Sequence, residues 1–534
     1  MKSMKKLVTL LLSLVMLCAL AMPAMADEKT YSITINDAVV GHTYTAYQVF
    51  KGVYYSGNRQ VEGKEAEYLS DVTWGDDVDD TKILKALQES TVIGKDFTDK
   101  TSAEEVAYVL QGYDNKSEQL DEFARIVGKN LKTNATGKGS VTVGEDKQAT
   151  INGLTAGYYF VKDTGKIGDG EIATKFLVKV VGDATVEIKA NAPTIEKKIV
   201  NGEGDNHTTV NVGDDVEFKL TAKVPDMASF DKYTFTISDT LSNGLTFKKG
   251  TVAVTIGDKE LVDGTDYTLG DLDTRTNTFT VTFTKDQLAK YVEHGAGATI
   301  VVTYKATLNK NALTTDKETN TAKLEYSNNP SGDGTGTVTP DAPVYIYDFD
   351  IDIDKYDDTD NKDKDNDNKD KLKKLANAEF ILYKEVTENG QKKTYYYKWD
   401  KDSNTVKWVP EKAQATPKTT TTEGKASFQG IAAGSYFLEE TKAPDGYNKL
   451  KDPVPVTITA EYNKDGKLTN TSANANTNAE GQYIQTVEVP NKAGAVLPST
   501  GGIGTTIFYV LGSILALGAA VLLIVKKRMN GQDR

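Results

Sequence analysis

Few residues in this 534-residue chain are suited to nucleophilic or metal chemistry. The one cysteine, Cys18, lies in an apolar N-terminal run, so the chain beyond that run has no thiol for a nucleophile, a metal site or a disulfide. The three histidines, His42, His207 and His294, stand far apart, with no metal-ligand or catalytic spacing. No Gly-rich phosphate loop follows a strand pattern. Asp363, Asp365 and Asp367 have the alternate spacing of a calcium loop. The sixth position of that loop is Asn368 where Gly is needed, however, and the twelfth is Lys374 where Glu is needed. The run from Asp357 to Lys374 is therefore expected to be a solvated loop of mixed charge. Carboxylates are plentiful but no nucleophile motif accompanies them, so neither an enzyme nor a cofactor is expected. Lysine, carboxyl and carboxamide groups are what remain.

The two ends of the chain say where it works. Lys2, Lys5 and Lys6 precede an apolar run, Leu7 to Leu20, and Ala24-Met25-Ala26 supplies a small-x-small cleavage site. Residues 1–26 therefore read as a signal peptide, with the mature chain starting at Asp27. At the other end Leu497-Pro498-Ser499-Thr500-Gly501 precedes an uncharged apolar stretch, residues 503–525, long enough to span a bilayer. Lys526, Lys527 and Arg528 follow at once and hold the tail, 526–534, on the cytoplasmic side. This order resembles the cell-wall sorting signal of Gram-positive surface proteins. The resemblance implies a sortase whose cysteine attacks the Thr500 carbonyl and releases Gly501 onward. An amine, on a peptidoglycan precursor or on another protein, then resolves the acyl-enzyme. The chain carries a net charge of −13 although both terminal signals are basic. The part between them is more acidic still, which argues against nucleic-acid binding.

Between the signals the patterning predicts three domains of a mainly β chain, tandem immunoglobulin-like sandwiches, the first with helical insertions. Residues 27–191 begin with alternation over Tyr31 to Ile35 and β-rich sequence over Thr43 to Val53. Helical spacing follows at Thr81 to Ser90, Thr101 to Tyr113 and Ser117 to Asn130, with Ser102 and Glu105 placed as a capping box. Strands return at Val141 to Val143, Gly157 to Lys162 and Thr174 to Val181. Residues 192–335 alternate over Val216 to Ala222, Tyr233 to Ile237, Thr278 to Phe283 and Thr299 to Thr307. Pro330 to Pro340 reads as a connector, and residues 343–494 form the third unit. Gly153-Leu154-Thr155-Ala156-Gly157-Tyr158-Tyr159-Phe160 echoes Gly430-Ile431-Ala432-Ala433-Gly434-Ser435-Tyr436-Phe437. The first and third domains should thus share part of one template.

The third domain carries Leu375-Ala376-Asn377-Ala378-Glu379-Phe380-Ile381-Leu382. It also carries Tyr436-Phe437-Leu438-Glu439-Glu440-Thr441-Lys442-Ala443-Pro444-Asp445-Gly446-Tyr447. The second run fits the YxLxETxAPxGY box, and the domain resembles the collagen-adhesin B-type repeats of bacterial stalks and pili. In that family a first-strand lysine joins a last-strand asparagine with help from the glutamate of the box. The resemblance places these roles on Lys355, Asn491 and Glu440. Burial favours the neutral amine that can attack an amide carbon, and a protonated carboxyl polarises the amide and moves protons. Holding the groups together supplies further acceleration. Ammonia leaves, and an amide replaces two polar ends that are costly to bury.

The middle domain holds Pro193-Thr194-Ile195-Glu196-Lys197, Ile237-Ser238-Asp239-Thr240-Leu241 and Tyr326-Ser327-Asn328-Asn329-Pro330, and it resembles the middle domain of pilus backbone subunits. The resemblance implies a Lys197–Asn328 bond with Asp239 as catalyst, Lys198 and Asn329 being the neighbours that could take those places. Cross-links closing loops this long stabilise by roughly 4–5 kcal/mol in a chain-entropy account. The first domain has Asp163-Thr164 where the third has Glu440-Thr441, but Tyr31 to Asn36 contains no lysine. No internal bond is expected there.

Backbone pilins carry a polymerising lysine at the end of the first domain. The corresponding run here is Val186-Glu187-Ile188-Lys189-Ala190-Asn191, without the tyrosine-proline pair that usually precedes it. Lys189 is the expected nucleophile for Thr500 of another subunit. The chain is thus identified as similar to the sortase-assembled backbone pilins. Its expected partners are sortase, other pilin subunits and peptidoglycan, with host surface ligands as a further class. A wall-anchored adhesin or minor pilin that is not polymerised is the alternative, and Lys189 separates the two. Lys189→Arg should abolish the high-mass polymer ladder in cells that hold the sortase; an unchanged ladder rejects the assignment.

Overall fold

The computed structural model describes residues 29–61, 64–114, 117–188, 192–225, 227, 230–291, 297–330, 334–340, 343–359, 372–473, 482–495, 497 and 503–529. The signal peptide, Lys189, His294, Pro498, Ser499, Thr500, Gly501, the end of the basic tail and most of the Asp/Lys-rich loop lie outside the described residues.

In the first domain, strand Tyr31–Asn36 pairs antiparallel with Ala149–Leu154 and parallel with Ala184–Glu187. The facing sheet runs Lys64–Trp74, Thr43–Val61, Gly157–Asp163, Lys175–Val180, with Gly139–Thr142 beside Thr43–Val61. Helices Asp80–Glu89, Gly94–Phe97, Ala103–Leu110 and Glu118–Lys129 cover its outer side. They bury Ile83, Leu87, Phe97, Val106, Phe123 and Val127 with Phe50 and Phe160. Ser102 and Glu105 form the expected capping box.

The third domain repeats this plan. Its first strand, Phe349–Asp357, pairs antiparallel with Lys425–Ile431 and parallel with the last strand, Ile484–Asn491. The echoed segments form equivalent hairpins. Gly153 and Gly430 both take left-handed backbone, at φ +76° and +69°, which favours glycine. Tyr159 donates to the Thr155 carbonyl at 2.9 Å, and Tyr436 donates to the Ala432 carbonyl at 2.7 Å.

The middle domain is a sandwich of two sheets. One holds Ile195–Ile199 at its edge, then Asp215–Lys223, Thr299–Leu308 and Leu245–Ile256. The other holds Phe235–Leu241 between Glu318–Ser327 and Thr278–Phe283. The middle domain also extends past the expected boundary. Thr335–Val338, expected in a connector, pairs with the end of Glu318–Ser327, and Val344–Tyr347 pairs with its start. All four residues of Val344–Tyr347 are buried, because cores of both domains cover them. The third domain therefore begins at Phe349 rather than 343.

Two joints connect the domains. Between the second and third, Val212 N–H donates to the Gly430 carbonyl at 2.9 Å and Val406 N–H donates to the Val212 carbonyl at 2.7 Å. Trp408 Nε1 donates to Asn211 Oδ1 at 3.2 Å, and one continuous apolar core runs through both domains. Between the first and second, a loop after Asp163 reaches across. Gly170 N–H donates to the Thr337 carbonyl at 3.0 Å, and Ala173 N–H donates to the Asn328 carbonyl at 2.7 Å. Tyr326 OH donates to the Glu171 carbonyl at 2.9 Å, and Arg125 pairs with Asp231 at 2.8 Å. Beyond the third domain, Ile503–Met529 is one helix, apolar enough over Thr506–Met529 to cross a membrane.

Asp348 and Asp350 lie where the chain enters the third domain, and both are buried. Burial pushes the Asp348 carboxyl well above its usual range, with Asp350 adding to the effect. Burial likewise pushes Asp350 up to about 7, against hydrogen bonds from Gly430 N–H and Gln429. A folded carboxyl that holds its proton more tightly than the unfolded one favours folding in acid, and that advantage is lost as pH rises through the folded value. The thermal midpoint should therefore be higher near pH 5 than near pH 8, Asp350 contributing at most about 3 kcal/mol of the difference. Asp350→Asn should remove the share of that dependence that belongs to Asp350 and leave the share of Asp348; thermal scans in which the variant keeps the parent's full dependence would refute the assignment.

Candidate functional site

In the third domain the first and last strands run side by side with Lys355 opposite Val489 and Asp357 opposite Asn491. Strand alternation turns Lys355 inward, where it is 0% exposed. Its Nζ touches Asn491 Oδ1 and donates to the Val489 carbonyl at 3.1 Å. Glu440 comes from the facing sheet, 3.5 Å from Lys355 Nζ, and Asn491 Nδ2 donates to its Oε1 at 3.0 Å. Leu450 N–H fixes the other carboxyl oxygen at 2.7 Å, and Asn448 O accepts from Asn491 Nδ2 at 3.0 Å. Burial lowers the Lys355 amine to about 8 although Glu440 pulls the other way. The structure brings together the three residues that the box indicated: amine, amide carbon and acid meet in a dry pocket above the Phe380 ring.

The middle-domain site is arranged differently. Along Ile195–Ile199 the alternation puts Ile195, Lys197 and Ile199 inside, while Lys198 faces solvent and pairs with Asp205 at 3.0 Å. Lys197 Nζ makes a close ion pair with Asp239 Oδ2, both groups fully buried, and donates to Tyr304 OH at 3.0 Å. Tyr304 OH donates to Asp239 Oδ1 at 2.7 Å. Burial lowers the Lys197 amine to about 8 and raises the Asp239 carboxyl, the ion pair opposing both shifts. The carboxamide in this cluster belongs to Asn320, whose Nδ2 donates to Tyr304 OH at 2.6 Å.

Asn328 is not part of that cluster, which corrects the sequence assignment. Strand Glu318–Ser327 lies antiparallel to Phe235–Leu241 with Ala322 opposite Asp239 and Asn320 opposite Leu241. Asn328 follows the far end of that strand, roughly 20 Å further along at the usual strand rise. There its carbonyl receives the loop from the first domain. A signal that could have marked Asn320 as a candidate is its phase, which Asn328 shares just beyond the strand's end. Glu318, Asn320, Ala322, Leu324 and Tyr326 share one parity, and all are buried. Asn320 is thus a polar residue on an otherwise mostly apolar inward face.

In the first domain Asp163 occupies the place of Glu440, but the residue against it is His42. The imidazole sits between two carboxylates, with Nδ1 2.5 Å from Asp163 and Nε2 3.1 Å from Glu171. Glu171 belongs to the loop that crosses to the middle domain, so this pair is a structural clasp. Tyr31–Asn36 contains no lysine.

Residues 212–330 match the Gram-positive pilin backbone subunit 2, Cna-B-like domain. Residues 359–474 match the prealbumin-like fold domain and residues 489–531 the LPXTG cell wall anchor motif. The Trypsin-resistant surface T6 protein of Streptococcus pyogenes serotype M6 is 24% identical over 435 residues, 68% of this chain and 74% of that one. The chain is homologous to Gram-positive backbone pilins. The structure of the T6 backbone pilin, described as a modular three-domain structure decorated with variable loops and extensions, aligns over 88% of this pilin homologue and 100% of its own chain. The TM-score is 0.53 at 18% identity, a likeness of fold. A fimbrial subunit type 1 of Actinomyces viscosus is 33% identical over 95 residues, and this homologue spans only 15% of that protein's length. It is a mainly β protein carrying the anchor motif of the Gram-positive cell wall.

If Asn320 is the reacting amide, Asn320→Ala in residues 27–500 should lack the mass deficit, about 17 Da against its own sequence, that ammonia loss in middle-domain bond formation would leave. Asn328→Ala should show that deficit like the parent. The opposite pattern in intact-mass spectra restores Asn328.

Proposed function

We propose that this protein is the repeating structural subunit of a covalent surface pilus. Sortase would polymerise it through Thr500 and Lys189, fix it to peptidoglycan at the base, and leave it hardened by two internal lysine–asparagine bonds. Lys355 joins Asn491 with Glu440 as the acid, and Lys197 joins Asn320 with Asp239 as the acid. The observation that carries this reading is the pair of buried amine, carboxyl and carboxamide clusters, each in one of the two domains that lie between Lys189 and Thr500 in the chain. In a polymer linked through those residues, tension would enter at the end of the third domain and leave at the start of the middle one. Both domains on that path have a cluster, and the first domain, off the path, has His42 in place of a lysine.

The two bonds would resist pulling in different ways. Lys355 and Asn491 lie on adjacent parallel strands of one sheet, so their bond ties first strand to last. Lys197 and Asn320 come from facing sheets, so theirs holds the sandwich closed. Each would close a loop of well over a hundred residues, worth roughly 4–5 kcal/mol in the chain-entropy account.

Polymers released from the wall and digested with a protease should yield a branched peptide in which the Thr500 carbonyl is joined to Lys189 Nζ. Thr500→Ala should leave only monomer at the membrane. Monomer alone from the parent strain, with the sortase present, would reject the shaft role.

A further inference from the structure

The third domain's acid reaches the leaving nitrogen itself, since Asn491 Nδ2 donates directly to Glu440. In the middle domain the corresponding group, the Asn320 amide, also lies within hydrogen-bonding reach of Asp239, but its Nδ2 donates at 2.6 Å to the hydroxyl of Tyr304. That hydroxyl also receives Lys197 Nζ and donates to Asp239 Oδ1, so one oxygen touches amine, acid and amide. The geometry points to Tyr304 as a catalytic residue of middle-domain bond formation, the proton carrier between Asp239 and the departing nitrogen. This deepens the cross-linking reading above and rests on it.

The ring is built to hold that oxygen still. Tyr304 is 1% exposed and stacks on Phe218 at 5.2 Å, with Phe279 edge-on at 4.8 Å. Burial, reinforced by Asp239, holds the phenol well above its ordinary value, so it stays a proton donor. Asn320 Oδ1 is buried and accepts no hydrogen bond among the described residues. The amide is therefore gripped at its nitrogen, with its oxygen free for a protonated carboxyl.

The reaction balances as follows. Within the ion pair Lys197 gives one proton to Asp239, leaving a neutral amine and a neutral acid. Nζ attacks Asn320 Cγ, the new C–N bond forms, and negative charge on Oδ1 is met by the acid proton. Nζ then sheds one proton to Asp239. In the tetrahedral intermediate Nδ2 is no longer conjugated, so it can accept from the hydroxyl to which it formerly donated. Tyr304 hands it a proton and takes one from Asp239. The Cγ–Nδ2 bond breaks, ammonia departs, and the proton on Oδ1 returns to Asp239 as the carbonyl reforms. Tyr304 and Asp239 end neutral, as they were when Nζ attacked.

The test uses residues 27–500, in which the third domain supplies an internal control, and follows each ammonia loss by intact mass and peptide mapping. Tyr304→Phe removes one oxygen and keeps the ring. The middle-domain loss should slow on the order of a hundredfold, the scale of general acid catalysis, while the third-domain loss stays complete. A variant that unfolds with the same midpoint as Lys197→Ala has folded without reacting, as expected. A Tyr304→Phe protein that loses both ammonias at the parent's rate overturns the role. Where the phenylalanine variant does not fold, 3-fluorotyrosine at this position alone keeps the hydroxyl and lowers its pKa. The proposal then expects a several-fold change in rate, and an unchanged rate overturns it. A parent without the middle-domain loss instead defeats the cross-linking reading and leaves the third-domain result standing.

Discussion

Burying a lysine amine costs several kcal/mol unless the amine is paired, neutralised or converted. Among the described residues two lysines, Lys197 and Lys355, have fully buried side chains. Each is set there by the alternation of a strand, against a carboxyl that is equally buried. The rest of each domain serves this arrangement. Aromatic rings keep water out, facing sheets bring acid and amine to contact, and one strand supplies a carboxamide in the right phase. Reaction to an amide would remove the buried charges and leave a covalent tie in their place. An unfavourable burial would thereby become the strongest link between strands that carry load.

The clusters differ in which surfaces they join. In the third domain amine and amide are neighbours on one sheet, and the acid closes over them from the other. In the middle domain amine and amide face each other across the sandwich, and a tyrosine bridges them. The joints differ as well. The second and third domains share one core, whereas the first is held to the second by a polar loop and by Arg125 and Asp231. In the proposed shaft only the two domains that share a core would lie between successive links.

The third-domain trio was legible in the sequence because its box is long and fixed in register. Glu440 follows from the box, and Lys355 and Asn491 follow from being first and last strands. In the middle domain the acid and the lysine were legible, but the amide was not. Asn328 sits at the end of the domain, where a last-strand asparagine would be expected, yet two further strands follow and it caps a joint instead. Parity marks Asn320 as a polar residue in a buried phase, but Asn328 shares that parity and that burial, so only the strand register separates them. Tyr304 could not have been found, since a tyrosine in an alternating strand looks like any core aromatic until its hydroxyl is placed. The expected edge of the third domain at 343 failed for a related reason. Val344–Tyr347 is apolar throughout, and only tertiary pairing decides which domain claims such a strand. The echo around Gly153 and Gly430 marked two domains of one plan, which the matching tyrosine hydrogen bonds and parallel end strands bear out.

The most direct test of the account is the intact mass of folded residues 27–500. Two lysine–asparagine bonds predict a protein lighter than its sequence by about 34 Da, with protease fragments joining Lys197 to Asn320 and Lys355 to Asn491. A protein at full mass, with every lysine and asparagine recovered in linear peptides, would contradict it.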